Sequence, residues 1–322
     1  MHTRRKVVVV ALGGNSLTKK GQRGTIYEQF ANTRASVRTL WHLIELGYQL
    51  VITHGNGPQV GDFLIQMESA IAQVPPQPLG VIGAATQGTI GYMIQQTLQN
   101  HLILEGRDTP VVTILTQVVV DRHDPLLVDP IKPIGATFYT EEEAKKRMTE
   151  LGWSMKEDAG RGWRRVVPSP VPLEIVELDV LESLLNAGAI VITAGGGGIP
   201  VIIEKDGRYE GVDAVIDKDL ASGLLARSLD ADVLIMLTAV DRVALDYASG
   251  HPTWLDRMTA HEAKEYLAQG QFPQGSMGPK IEASVEYLLG VRHKQTRKAI
   301  ITDHEHLRQA MTGKAGTTIT FQ

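Results

Sequence analysis

Three runs of glycine punctuate this chain: Gly13-Gly14-Asn15, Gly55-Asn56-Gly57, and the four glycines from Gly195 to Gly198. Glycine lets the backbone approach a ligand closely and take positive φ. Successive N–H groups in such a turn form an anion-binding concavity. A single run is as readily a tight connection as a site. These three each follow an apolar, β-branched stretch (Val7–Leu12, Gln49–His54, Ala189–Ala194). Open α/β sheets bind ligands beyond the carboxyl ends of their strands, so the set points to phosphate binding.

Three lysines sharpen that chemistry. Lys132 lies in Asp129-Pro-Ile-Lys-Pro-Ile-Gly135, Lys218 in Val215-Ile-Asp-Lys-Asp-Leu220, and Lys280 in Gly275-Ser-Met-Gly-Pro-Lys280. A solitary lysine is ordinarily a solvated surface charge, but each of these stands beside a Gly or Pro turn or a helix start. Phosphoryl transfer needs positive charge around three equatorial oxygens and little covalent chemistry. Asp217 and Asp219 flank Lys218. They read equally as helix caps, as anchors for the lysines, or as Mg²⁺ ligands, and their spacing does not separate these roles.

Several other chemistries fail on pattern. No G-x-x-x-x-G-K-[ST] occurs, which excludes a P-loop. The second run has G-x-G-x-x-x-G spacing and no acidic residue ending a following strand, which disfavours a nicotinamide-binding Rossmann domain. There is no G-x-S-x-G nucleophile elbow, and His261-Glu262 does not continue to H-E-x-x-H. His54 reads as a residue supporting its own loop through a hydrogen bond. No protein-borne transition-metal site is expected.

The elements that must position these residues alternate. Strands are expected at Val7–Leu12, Gln49–His54, Val111–Val120, Ala189–Ala194, Ala231–Thr238, Lys298–Thr302 and Thr317–Phe321. Helices are expected at Glu28–Leu46, Val81–Leu104, Val176–Ala187, Asp217–Leu229, Ala260–Gln269 and Lys280–Leu289. A short helix is expected before the last strand, and a hairpin around Asp206-Gly207. Such alternation implies a mostly parallel sheet with helices on both faces. Residues 121–172, rich in Pro and charge and carrying Trp153 and Trp163, read as an ordered insertion, a small subdomain or lid.

The 322 residues are 43% hydrophobic with a net charge of −4, a profile that gives no footprint for nucleic acid. Zero cysteines exclude disulfides and a thiol nucleophile. No apolar run approaches the ~18 residues of a membrane span, and the expected setting is cytoplasmic.

The stretches ALGGNSL, THGNGPQVG, TQGTIGY, LTQVVVD, DPIKPIG, KEDAGRGWRRVVPSP, AGGGGIPV, GVDAVIDKDLAS, LTAVD and GSMGPKIEAS together resemble the carbamate kinases of the amino-acid kinase superfamily, from Val7 almost to the C-terminus. Acetylglutamate kinases share the glycine turns but lack KEDAGRGWRRVVPSP. The resemblance implies an α/β fold, a three-layer αβα sandwich with an eight-stranded, mostly parallel sheet and a protruding subdomain at 121–172. It implies one amino-acid kinase domain over 1–322, with an N-terminal lobe at 1–205 and a C-terminal lobe at 206–322. It also implies a homodimer and reversible transfer between ADP and carbamoyl phosphate, giving ATP and carbamate, with Mg²⁺ on the nucleotide.

By the same resemblance Lys132, Lys218 and Lys280 surround the transferring phosphoryl group and Asp219 positions the lysines. Gly13, Gly14, Asn15, Gly55, Asn56 and Gly57 hold the carbamoyl phosphate end. Gly195, Gly196, Ala239, Val240, Asp241 and Met277 lie with the nucleotide. Two positions depart from the family pattern. Lys132-Pro-Ile-Gly135 continues as Ala136-Thr-Phe-Tyr139 where K-P-I-G-P-F-Y is common, and Arg242 stands where some relatives carry an aromatic residue. Two rivals remain open at this point: another acyl-phosphate kinase of the superfamily, and a nucleotide sensor without activity.

Overall fold

The computed structural model describes residues 5–322 except 15, 16, 20, 136 and 159. The chain opens with β1 (Val7–Leu12), α1 (Ile26–Glu45), β2 (Gln49–His54), α2 (Gly57–Ala70), α3 (Leu79–Leu104), β3 (Val111–Thr113) and β4 (Gln117–Val120). The insertion holds β5 (Lys132–Pro133), α4 (Glu141–Leu151), β6 (Ser154–Glu157) and β7 (Trp163–Val167). Then come β8 (Pro172–Ile175), α5 (Leu178–Asn186), β9 (Ile190–Ile192), β10 (Ile199–Ile203), β11 (Tyr209–Gly211), α6 (Lys218–Ser228) and β12 (Val233–Leu237). The chain finishes with β13 (Val243–Leu245), β14 (Thr253–Leu255), β15 (Arg257–Thr259), α7 (Ala260–Ala268), α8 (Met277–Gly290), β16 (Lys298–Thr302), α9 (Leu307–Met311) and β17 (Thr317–Thr320).

Eight strands form the central sheet in the order β15-β17-β16-β12-β1-β2-β9-β3. Neighbours from β16 to β3 run parallel, and β17 turns antiparallel to β16. Both faces of the sheet are covered, which is why β1 reads as an unbroken apolar run. Val7, Val9 and Ala11 pack into one core with residues of α5, α6, α7 and α8. Val8, Val10 and Leu12 pack into the other with residues of α1, α3 and α9. The result is the expected αβα sandwich.

Local signals set the helix starts. Thr25 and Glu28 form a reciprocal capping box that opens α1 at Ile26, two residues before the expected start, because the cap satisfies first-turn N–H groups that have no partner inside the helix. The same device opens α4 at Thr140 and Glu143, and Gly152 in the left-handed region closes it.

Four expectations are corrected. Gly57 begins a helix, α2, where Gly55-Asn56-Gly57 read as a turn; Pro58 in its first turn lacks only an N–H that needs no partner there. The single strand expected at Val111–Val120 is two. Its first part stays in the central sheet while β4 leaves for a second sheet, ordered β11-β10-β4-β8. Residues 172–175 pair as β8 with β4, so the helix expected from Val176 begins at Leu178. A hairpin of β13 and β14 follows β12, where no element was expected. The division between lobes at 205/206 falls inside the β10–β11 hairpin.

The insertion is an ordered subdomain, its sheet β5-β7-β6 carrying α4. It docks on α2. Ile134 and Val167 share a small core with Val60, Leu79 and Ile82, and Arg147 pairs with Glu68 at 3.1 Å. Gly61 and Gly135 meet backbone to backbone: a Cβ on Gly61 would stand 2.4 Å from Gly135 Cα.

Candidate active site

The site lies along one edge of the central sheet, where β12, β1, β2 and β9 end side by side. Its cations are held by carboxylates at the start of α6. Asp217 caps α6, its Oδ1 accepting from Asp219 N at 2.8 Å. Asp219, in the first turn, is buried and divides its carboxylate between two lysines. Lys218 Nζ donates to Oδ1 at 2.5 Å and Lys280 Nζ to Oδ2 at 2.9 Å. Lys280 also donates to Ser276 O at 3.2 Å. The third cation arrives from the subdomain: Lys132 Nζ donates to Ile216 O at 3.0 Å and to Asp217 Oδ2 at 3.2 Å.

Packing fixes this arrangement. Asp219 and Lys280 meet because α6 and α8 lie against each other, Gly223 touching Ala283 so closely that a Cβ would stand 2.7 Å from its carbonyl oxygen. Ser222 donates to Lys218 O at 2.6 Å and shares a 2.6 Å hydroxyl contact with Thr53 of β2. Burial would raise the Asp219 carboxyl, but the Lys218 and Lys280 ammonium groups outweigh it and hold its pKa at about 2. Burial pushes the Lys218 ammonium below its ordinary value, and neighbouring Lys280 adds to this against the pull of Asp219.

Two of the expected phosphate turns meet beside this cluster. Gly55 abuts the Lys218 side chain and the backbone N of Gly14, with Cβ-position contacts of 3.3 and 3.4 Å. Gly13 packs on Leu237 O at the end of β12. Asn15 lies outside the described residues. Asn56 precedes α2, its amide donating to Thr86 Oγ1 at 2.9 Å. His54 is completely buried with Nδ1 on Gly55 O at 3.1 Å, the loop support that the sequence led us to expect. Its Nε2 has no partner.

The residues expected with the nucleotide follow two different strands. Ala239, Val240 and Asp241 follow β12, and Met277 opens α8 one turn before Lys280. Gly195 and Gly196 follow β9 instead and pack on His54 and Asn56. Three strand spacings, about 14 Å, separate the end of β9 from that of β12. Arg242 folds back onto Asp256 at 2.8 Å and Asp241 at 3.5 Å. Thr53, Ser222 and Thr86 were not foreseen. A hydroxyl one helical turn after Lys218, and a Thr beside His54, were the available signals.

The four carboxylate oxygens of Asp217 and Asp219 are all engaged by ammonium or N–H groups. No group of three acidic or histidine side chains able to hold a metal occurs among the described residues. This donor set fits a metal that arrives on phosphate oxygens, not one caged by the chain. What the arrangement can do is hold a transferring phosphoryl group among three fixed positive charges with no covalent partner.

A phosphate-transferring αβα enzyme is the class that this fold and cluster define. Residues 6–302 match the profile of the amino acid kinase family. Carbamate kinase of Pyrococcus horikoshii is 48% identical over 97% of this chain and 98% of its own length. Carbamate kinase 3 of Staphylococcus aureus is 47% identical, over 97% and 98%. The solved structure of Giardia lamblia carbamate kinase bound to AMP-PNP matches with a TM-score of 0.89 and 41% identity, covering 98% of each chain. The chain belongs to the amino acid kinase family and, within it, to the carbamate kinases.

Proposed function

We propose that this enzyme moves a phosphoryl group reversibly between carbamoyl phosphate and ADP, giving carbamate and ATP. The observation that carries the reading is the division of one buried carboxylate, Asp219, between Lys218 and Lys280, with Lys132 brought beside them. The bond from phosphorus to the carbamate oxygen breaks as a bond to a terminal ADP oxygen forms. Both oxygens are anionic, so no general base is required. Lys132, Lys218 and Lys280 balance the charge on the equatorial oxygens, and Asp219 keeps two of them in place before substrate arrives, so that catalysis is positioning and electrostatics.

Gly13, Gly14 and Asn15 with Gly55, Asn56 and Gly57 hold the carbamoyl phosphate end. The contacts of Gly55 with Lys218 and with the backbone N of Gly14 support this, and Gly195 and Gly196 pack on His54 and Asn56 of the neighbouring turn. Ala239, Val240, Asp241 and Met277 border the nucleotide. Mg²⁺ comes with the nucleotide and neutralises its phosphates. The enzyme works in the cytoplasm on carbamoyl phosphate from arginine breakdown, as a homodimer. The dimer is supported by α3, which has no Asp, Glu, Lys or Arg yet exposes Val81, Tyr92, Ile103 and Leu104.

A coupled assay for ATP formed from ADP, Mg²⁺ and carbamoyl phosphate tests the activity. ATP at rates of ordinary kinases is expected; none from carbamoyl phosphate overturns it.

A further inference from the structure

Away from the active edge, at the beginnings of β1 and β16, a cleft of about 770 Å³ runs between the end of α1 and α9. Lys6, Arg308 and Lys314 line it, with His42 and Tyr48. A second cleft of about 290 Å³ joins it at Met311 and Thr312 and carries Arg257, Lys298 and Thr318. The volume of the first falls in the range of small-molecule sites.

The charge here is one-sided. Among the described residues, none of Lys6, Arg257, Lys298, Arg308 and Lys314 forms an ion pair, although the whole chain is net acidic. No Asp or Glu lines either cleft among the described residues, and Glu45, on the last turn of α1, lies 3.5 Å from His42. Lys298 is partly buried and spends one N–H on Met311 O at 3.1 Å. Burial pushes its ammonium below the ordinary value, and Arg257 and Lys6 push it further. Cations from both clefts thus crowd one another. Such crowding costs free energy that a fold without a use for it would relieve with a carboxylate.

We infer that this groove is a second anion site, separate from the phosphoryl-transfer centre, for a small molecule carrying two or more phosphate groups. The two joined clefts, each with its own cations, match an anion with its charge divided between groups. Thr318, on the same side of the sheet as Arg257, adds a hydroxyl donor of the kind phosphate oxygens accept.

Inorganic tripolyphosphate is the probe, titrated calorimetrically without divalent metal into four proteins. Wild type is expected to bind at two sites, since the three catalytic lysines attract the same anion. Arg308→Gln/Lys314→Gln, at two exposed positions, is expected to weaken one site more than tenfold and to keep ATP-forming turnover within twofold. Lys218→Ala is expected to lose the other site. Lys145→Gln/Lys146→Gln on α4 removes the same charge elsewhere and is expected to leave both sites intact. One site in wild type, or equal weakening by the two double variants, would overturn the inference. So would capture by anionic phospholipid vesicles without binding of tripolyphosphate, which would give the groove to a membrane surface.

Discussion

Two sets of charge meet at the active edge, and they are built differently. Lys218, Asp219 and Lys280 belong to helices whose backbones touch at Gly223, and the carboxylate they share is buried. Lys132 stands on a two-residue strand of an appended subdomain, is about a quarter exposed, and reaches Asp217 across the gap between subdomain and sandwich. The first set is organised before substrate arrives. The second depends on how the subdomain is seated. Positioning charge in advance therefore rests with the sandwich, and completing the enclosure rests with the insertion.

The contrast breaks most visibly if the buried set is cut. Lys218→Ala and Lys280→Ala are each expected to lower kcat by about 10²–10³, the scale for one preorganised charge contact; near-normal turnover in both would remove them from the mechanism. Asp219→Asn leaves two ammonium groups without their counter-ion. Loss of one partner from a buried ion pair costs about 3–5 kcal/mol, so urea denaturation should show a fall of that size along with lost activity.

His54 gives the sandwich side a signature in pH. Burial, with Lys218 adding to it against the pull of Gly55 O, holds its pKa down at about 4. An unfolded chain takes up that proton near pH 6.5. Stability is then complete above about 6.5, declines as pH falls toward 4, and levels off below, a loss on the order of 3 kcal/mol. Denaturation at pH 7 and 4.5 should show it, and His54→Gln should flatten it. Asp219 acts lower: its contribution is complete above the ordinary carboxyl value and disappears only as pH approaches 2.

The smallest effect belongs to the subdomain. Gly61→Ala would drive a methyl into Gly135 and unseat the turn that follows Lys132. About a tenfold drop in kcat/KM is expected, with the denaturation midpoint of the sandwich unchanged. A fall in that midpoint equal to that of Asp219→Asn would erase the distinction between the two sets.

The sandwich was legible in sequence where strands are buried on both faces, as at Val7–Leu12, because six apolar residues in a row, mostly β-branched, suit a strand covered on two sides and little else. It was illegible at Val111–Val120. Both halves are β-branched, and the exit to another sheet between Thr113 and Gln117 leaves no local mark. The start of α2 was hidden behind Gly57 and Pro58, residues that also make turns. In the site, the adjacency of Lys218 and Asp219 was visible. The pairing of Asp219 with Lys280 was not, since it spans 61 residues and depends on helices meeting at small side chains. Asp217 and Asp219 turned out to divide the roles left open for them: Asp217 both caps α6 and anchors Lys132, and Asp219 anchors the other two lysines.

The run from Gly195 to Gly198 sets a limit on how this protein can vary. The space for a Cβ at each position is already taken, by His54 Nε2 at 2.3 Å, Asn56 Nδ2 at 2.0 Å, Ile216 O at 2.5 Å and Val118 Cγ2 at 2.2 Å. The last three positions also have positive φ. A compensating change would have to free four neighbours on three different segments at once. Homologous enzymes can therefore drift around this stretch but hardly through it, and a saturation library across these four codons should return almost nothing but glycine.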